Sequence, residues 1–233
     1  ALVGVRLGVR ATDDFDSGTQ ARFATALADL TALGAELVAI APVDPSIARV
    51  AQIYELEVLL HEFSGDLEAY LSGVEGLETL QDVVDFNVRH AATELRWFGQ
   101  DLFERALARR GGDEAAYRAA RETSRRTFAG FVDGRVAEHD LQAIVTPTAG
   151  PAFPIDLVHG DGHSGSSSHL TAVSGYPAVT VPMGVVEDLP VGLSFIGPAF
   201  TDGRLLAYAY AYERATRRRP VPRFLRSVGE APD

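Results

Sequence analysis

The sequence has no cysteine, no lysine, one methionine and one tryptophan. Without cysteine there can be no disulfide framework, thiolate nucleophile or cysteine-ligated zinc, a composition that fits a cytoplasmic protein. Without lysine, all 21 basic residues are arginine. Arginine stays protonated at any working pH, so none of them can serve as a general base. Lysine-assisted proton transfer and lysine Schiff bases are therefore excluded within these 233 residues. No apolar run approaches the roughly 20 residues of a membrane span. The opening Ala1-Leu2-Val3-Gly4 has neither an initiator methionine nor the basic region of a secretory signal, which suggests a trimmed or processed piece. The net charge of −11 argues against a nucleic-acid partner. The densest basic run, Arg214 with Arg217, Arg218 and Arg219, reads as a helix C-terminus complementing the helix dipole.

What is present reads as α/β. Gly4 to Val9 alternates like a strand, Thr19 to Leu33 carries Phe23, Leu27 and Leu30 at helical spacing, and Glu36 to Ile40 is a second strand closed by Pro42. Residues 1–44 thus form a βαβ unit. Residues 45–140 are mainly helical. Ser46 is placed to cap a long helix, Thr79 and Asp82 flank the start of another that runs past Val88 to Ala91, and Gly99 precedes a third from Asp101 to Arg110. Gly111-Gly112 breaks the pattern and Asp113 caps the next helix. Residues 141–226 hold the closing strands and a final helix. They begin with the strand Leu141 to Pro147 and a long polar loop over 149–168. A short helix from Ser167 to Val173 follows, then two β-branched runs joined near Val185 to Asp188. The last helix runs from Arg204 to Arg217, capped by Thr201 or Asp202.

Three chemistries compete for the polar residues. His159-Gly160-Asp161-Gly162-His163, with Asp156 and His169 nearby, has metal-ligating residue types. Convergence at i and i+4 needs a helix, however, and the two glycines oppose one. A solvated loop is the better reading, and no metal or cofactor is implied. Gly162-His163-Ser164-Gly165-Ser166 approaches a nucleophile elbow but lacks its last glycine and a preceding strand. The 32 acidic residues guarantee chance carboxylate pairs such as Glu55/Glu57 and Asp82/Asp85, which read as solvated helix faces.

A series of motifs in fixed order carries more. Gly34 to Val38 reads GAELV, Asp85-Phe86-Asn87 and Trp97-Phe98-Gly99-Gln100 follow, and Asp140 to Thr148 ends in Ile-Val-Thr-Pro-Thr. Then come Tyr176-Pro177, Pro182, Gly184, Leu189-Pro190-Val191-Gly192, Arg204-Leu205-Leu206 and Tyr212 to Thr216. This series resembles the C-terminal part of the amidase signature family, in its peptide-amidase-like subgroup. The resemblance implies an α/β fold with a mixed sheet flanked by helices and a helical segment inserted after the first two strands. It implies a single domain fragment over 1–233 whose catalytic core lies upstream, since that family uses a Ser–cis-Ser–Lys triad and no serine here can be assigned either catalytic role. By position it implies substrate-pocket walls at Phe98, Gln100, Thr148, Phe153, Ser166, Ser167 and Tyr176. The expected function is hydrolysis of carboxylic or peptide amides by the whole protein, with a small-molecule amide as its ligand. This piece is expected to be inactive alone and to form a homodimer over the face left uncovered. The alternative is a non-catalytic binding or assembly module, a pseudoenzyme subunit.

Overall fold

The computed structural model describes residues 2–222 and Phe224. β1 (Arg6–Arg10), α1 (Ser17–Ala32) and β2 (Glu36–Ile40) make the opening βαβ unit, with Leu7 opposite Leu37 in a parallel pair. A parallel pair needs a crossover, and α1 supplies it. The helix begins two residues before Thr19. Asp16 is its N-cap and accepts a hydrogen bond from the Thr19 amide, which moves the start upstream of the first buried apolar residue.

The helical segment contains α2 (Pro45–Leu71), α3 (Leu80–Arg89), a single turn α4 (Ala91–Glu94), α5 (Asp101–Arg109) and α6 (Glu114–His139). Ser46 does not cap α2. Asp44 does, accepting from the Ser46 amide at 2.9 Å, with Pro45 in the first turn where its missing N–H costs nothing. Thr79 and Asp82 form a reciprocal capping box at the start of α3. α3 ends at Arg89 rather than continuing through Ala91, because His90 leaves helical geometry and its amide closes back on Phe86. Asp113 caps α6 through the amides of Ala115 and Ala116. Leu60, Leu80, Val84 and Ala106 form the buried core of this segment.

β3 (Ala143–Pro147) is buried throughout and continues the sheet, parallel to β1. α7 (His169–Ala172) is one short turn. β4 (Ala178–Val186) and β5 (Leu189–Ile196) form a hairpin whose connection is tighter than the sequence suggests. Glu187 and Asp188 alone make the turn, at φ 47° and 66°. Two consecutive positive φ values are what a two-residue hairpin of the right twist requires. β4 is irregular between Pro182 and Gly184 and lies at the end of the strand order β2-β1-β3-β5-β4. A proline without a donor is tolerated at such an edge. α8 (Asp202–Thr216) starts two residues before Arg204 and stops at Arg217, which is left-handed at φ 51°. Thr201 occupies the cap position, but its hydroxyl donates to the Pro198 carbonyl instead of capping the helix.

The chain divides into two compact units, one comprising residues 1–42 and 129–233 and the other residues 43–128. In the first, α1 and α8 cover one face of the mixed sheet. Phe23, Ala26 and Leu30 from α1 and Leu205, Tyr208 and Tyr212 from α8 meet Leu7, Val145, Val181, Leu193 and Phe195 from the strands. Burying each such large side chain is worth about 1.5–3 kcal/mol, so this face holds the sheet together. Arg218 adds a two-pronged ion pair to Asp29 of α1. Among the described residues no helix is long and apolar enough to cross a membrane.

Candidate functional site

The β3 strand delivers Thr148 to the sheet end, where it meets hydroxyls from the hairpin. Thr148 Oγ1 shares a 2.8 Å hydrogen bond with Ser194 Oγ and donates to Thr180 Oγ1 at 3.3 Å, while Thr180 and Ser194 share one at 3.0 Å. The backbone continues this link, since the Thr148 amide donates to the Gly192 carbonyl at 2.8 Å. Three hydroxyls in a ring use all three donors on one another. The ring therefore fixes Thr148 and leaves acceptor lone pairs, not spare protons, facing outward. Thr180, Pro182, Pro190, Gly192 and Arg219 line a groove of about 660 Å³ beside it.

The loop over 149–168 leaves this strand end and returns to it. The Thr148 carbonyl accepts from both the Ser167 amide, at 3.0 Å, and the Ser167 hydroxyl, at 3.1 Å. Ala149 bridges Ser166, and the Gly150 amide donates to the Ser164 carbonyl at 3.0 Å. Ser166 Oγ shares a 2.9 Å bond with Ser168 Oγ and accepts from the Ser168 amide. Ser164 Oγ donates to Asp16 Oδ2 at 2.9 Å. Burial opposes ionisation of Asp16, but the Thr19 side-chain and backbone hydrogen bonds and that from Ser164 outweigh it. Its pKa thus lies below the ordinary carboxylate value. A carboxylate held ionised this way is a weak base, so Ser164 is not activated as a nucleophile.

The sequence-predicted site residues fall into two groups. Thr148, Ser166 and Ser167 come together at the loop base. Phe153 sits further out on the same loop, exposed, with the His163 ring edge-on at 6.3 Å. Tyr176, at the entrance to β4, donates its hydroxyl to Asp133 Oδ2 of α6 at 2.6 Å. Phe98 and Gln100 belong to the helical unit. Phe98 is 61% exposed and so is not a core residue. Gln100 occupies the cap position of α5 without capping it, and its side-chain oxygen accepts from Asn87 Nδ2 at 3.1 Å. Sequence reasoning missed Thr180, Ser194 and Asp16. The first two read as alternating strand positions, and only the hairpin register places Thr180 opposite Ser194.

The histidine-rich stretch does not converge. His159 pairs with Asp156 three residues earlier, at 2.9 Å, and Asp156 also accepts the Val158 and His159 amides. Among the described residues no group of three or more His, Asp or Glu side chains is placed to hold a metal.

This mixed-sheet α/β protein gathers hydroxyls and a tethered loop at one strand end, in a sequence without lysine. The family model for amidases matches residues 1–206, and the chain belongs to the amidase signature family, in its peptide-amidase-like subgroup. The native peptide amidase of Stenotrophomonas maltophilia superimposes with a TM-score of 0.82 at 37% identity, over 96% of this chain and 45% of that one. A glutamyl-tRNA(Gln) amidotransferase subunit from Rhodococcus erythropolis is 32% identical over 229 residues, covering 92% of this chain and 45% of that protein. A probable amidase of Arabidopsis thaliana is 32% identical over 171 residues, covering 72% of this chain and 30% of that protein. The chain spans less than half the length of each of these relatives.

Proposed function

We propose that these residues form the C-terminal, substrate-side part of an amidase that hydrolyses carboxylic or peptide amides. The observation that carries the reading is the family match over residues 1–206 in a sequence with no lysine. The nucleophilic serine, the cis-serine and the neutral lysine of the family are then supplied by a segment outside these 233 residues. In that reaction the serine hydroxyl adds to the amide carbonyl, the amine leaves with a proton, and water releases the acyl group. The share contributed here is the pocket wall: Thr148, Ser166 and Ser167 at the loop base, Phe153 on the loop, Tyr176 at the β4 entrance, and Phe98 and Gln100 in the helical unit. Similarity to a peptide amidase at 37% identity supports a peptide-amide substrate. The chain alone is inactive and acts in the cytoplasm as part of the whole enzyme. Apolar side chains left exposed on α2, including Ile47, Val50 and Ile53, favour self-association as a homodimer when the chain is isolated.

The test is ammonia release from a C-terminally amidated peptide by the whole enzyme. Thr148→Val and Ser167→Ala are expected to raise KM about tenfold with little change in kcat, the pattern of lost ground-state binding. Unchanged kinetic constants in both variants would remove these residues from the pocket.

A further inference from the structure

We infer that Asp16 is a positioning residue, which sets the placement of Ser166 and Ser167 by holding Ser164 from the start of α1. Its value for catalysis rests on the amidase reading above; the geometry does not. One carboxylate serves both the start of α1 and Ser164, 148 residues further along the chain. Oδ1 accepts from the Thr19 amide at 2.8 Å, while Oδ2 accepts from Thr19 Oγ1 at 2.7 Å and Ser164 Oγ at 2.9 Å. The same segment shapes the loop a second way. Phe15, buried to 4% exposure, lies against Gly165, where a Cβ would fall 2.4 Å from its ring. Gly165 is also left-handed at φ 53°, so both the space and the backbone demand glycine. Gly150 is equally confined, because a Cβ there would meet Ser164 Oγ at 2.1 Å and Asp16 Oδ2 at 3.3 Å.

These contacts all grip the loop base. The tip is different: Ile155 and Val158 are more than 80% exposed, and the hydrogen bonds of Asp156 are local. The base is thus moulded on Phe15 and Asp16, and the tip is free to meet a ligand. Ser166 and Ser167 lie two and three residues beyond Ser164, so the bridge of Ser166 to Ala149 and the bonds of Ser167 to the Thr148 carbonyl depend on the Asp16 contact. Asp16 touches neither of them and acts only through Ser164.

Two variants reach the same state by separate routes. Ser164→Ala deletes the donor and leaves the α1 cap intact, and Gly150→Ala places a Cβ 2.1 Å from the Ser164 hydroxyl and 2.5 Å from its carbonyl, displacing both. In amide hydrogen exchange on the 233-residue chain, both are expected to speed exchange of the Ser167 amide about tenfold or more, and Ser164→Ala that of the Gly150 amide as well, with the Thr19 amide unchanged. Unaltered exchange at Gly150 and Ser167, or an equal rise at Thr19 and along α1, would overturn the inference. In the whole enzyme, Ser164→Ala is expected to raise KM for a peptide amide with kcat retained. Faster loop exchange without a KM effect would leave the latch standing and count against the pocket role of the loop.

Discussion

Single side chains decide more than their exposure suggests. Tyr212 is fully buried between α8 and the sheet, and among the described residues its hydroxyl has no hydrogen-bond partner. Burial, reinforced by nearby Asp29, pushes its pKa up to about 12, so it stays neutral. An unpaired buried hydroxyl costs about 1–3 kcal/mol. Tyr212→Phe is therefore expected to raise the urea midpoint, and a clear drop would reveal a partner for the hydroxyl. Asp82 makes the opposite case. The side-chain and then the backbone hydrogen bonds from Thr79 lower its pKa. A carboxyl with a folded pKa below its unfolded value of about 3.9 stabilises fully above that pH and loses the effect as pH falls through the folded pKa. Thr79→Ala is expected to cost about 1 kcal/mol at neutral pH and to flatten the loss of stability below about pH 4. Parallel stability–pH curves for the two proteins would contradict that coupling. This capping box was legible from Thr79 and Asp82 at their three-residue spacing. Asp113 was legible too, after the Gly111-Gly112 break, whereas Asp16 and Asp44 follow no such break and show as caps only once their acceptor geometry is seen.

At the scale of elements, apolar periodicity located β2 to the residue and β1, β3, α1 and α8 to within two residues of an end. It failed where local backbone chemistry overrides it. His90 breaks the helix after Arg89 although the apolar residues continue, and the hairpin turn closes on Glu187 and Asp188 without the glycine that usually marks such a turn. Non-glycine residues at positive φ are strained, so Glu187→Asn with Asp188→Gly is expected to stabilise the chain by about 0.5–1 kcal/mol. A lower urea midpoint for the double variant would mean the native side chains make contacts that offset that strain. The site suffers the same limit. Thr148 was visible as the end of a Pro-Thr strand, whereas the hydroxyl ring with Thr180 and Ser194 depends on the cross-strand register. Ser166 and Ser167 were visible as a polar cluster, whereas their tether through Ser164 to Asp16 depends on a contact no local pattern encodes.

For the molecule as a whole, the order of motifs identified the family, and the missing lysine defined what this chain contributes to it. The sheet, its α1/α8 cover and the hydroxyl-lined strand end make the surface that the proposed function treats as a substrate wall. The division into two compact units was not legible, since a helical stretch reads the same whether it packs on a sheet or forms its own core. That core, built on Leu60, Leu80, Val84 and Ala106, draws on the neighbouring helices α2, α3 and α5. The central claim is that the bond-breaking groups lie outside these residues while the wall lies within them. The most direct test is to incubate the purified 233-residue chain with a C-terminally amidated peptide and follow ammonia. The account predicts no release above the uncatalysed background; turnover by this lysine-free chain alone would contradict it.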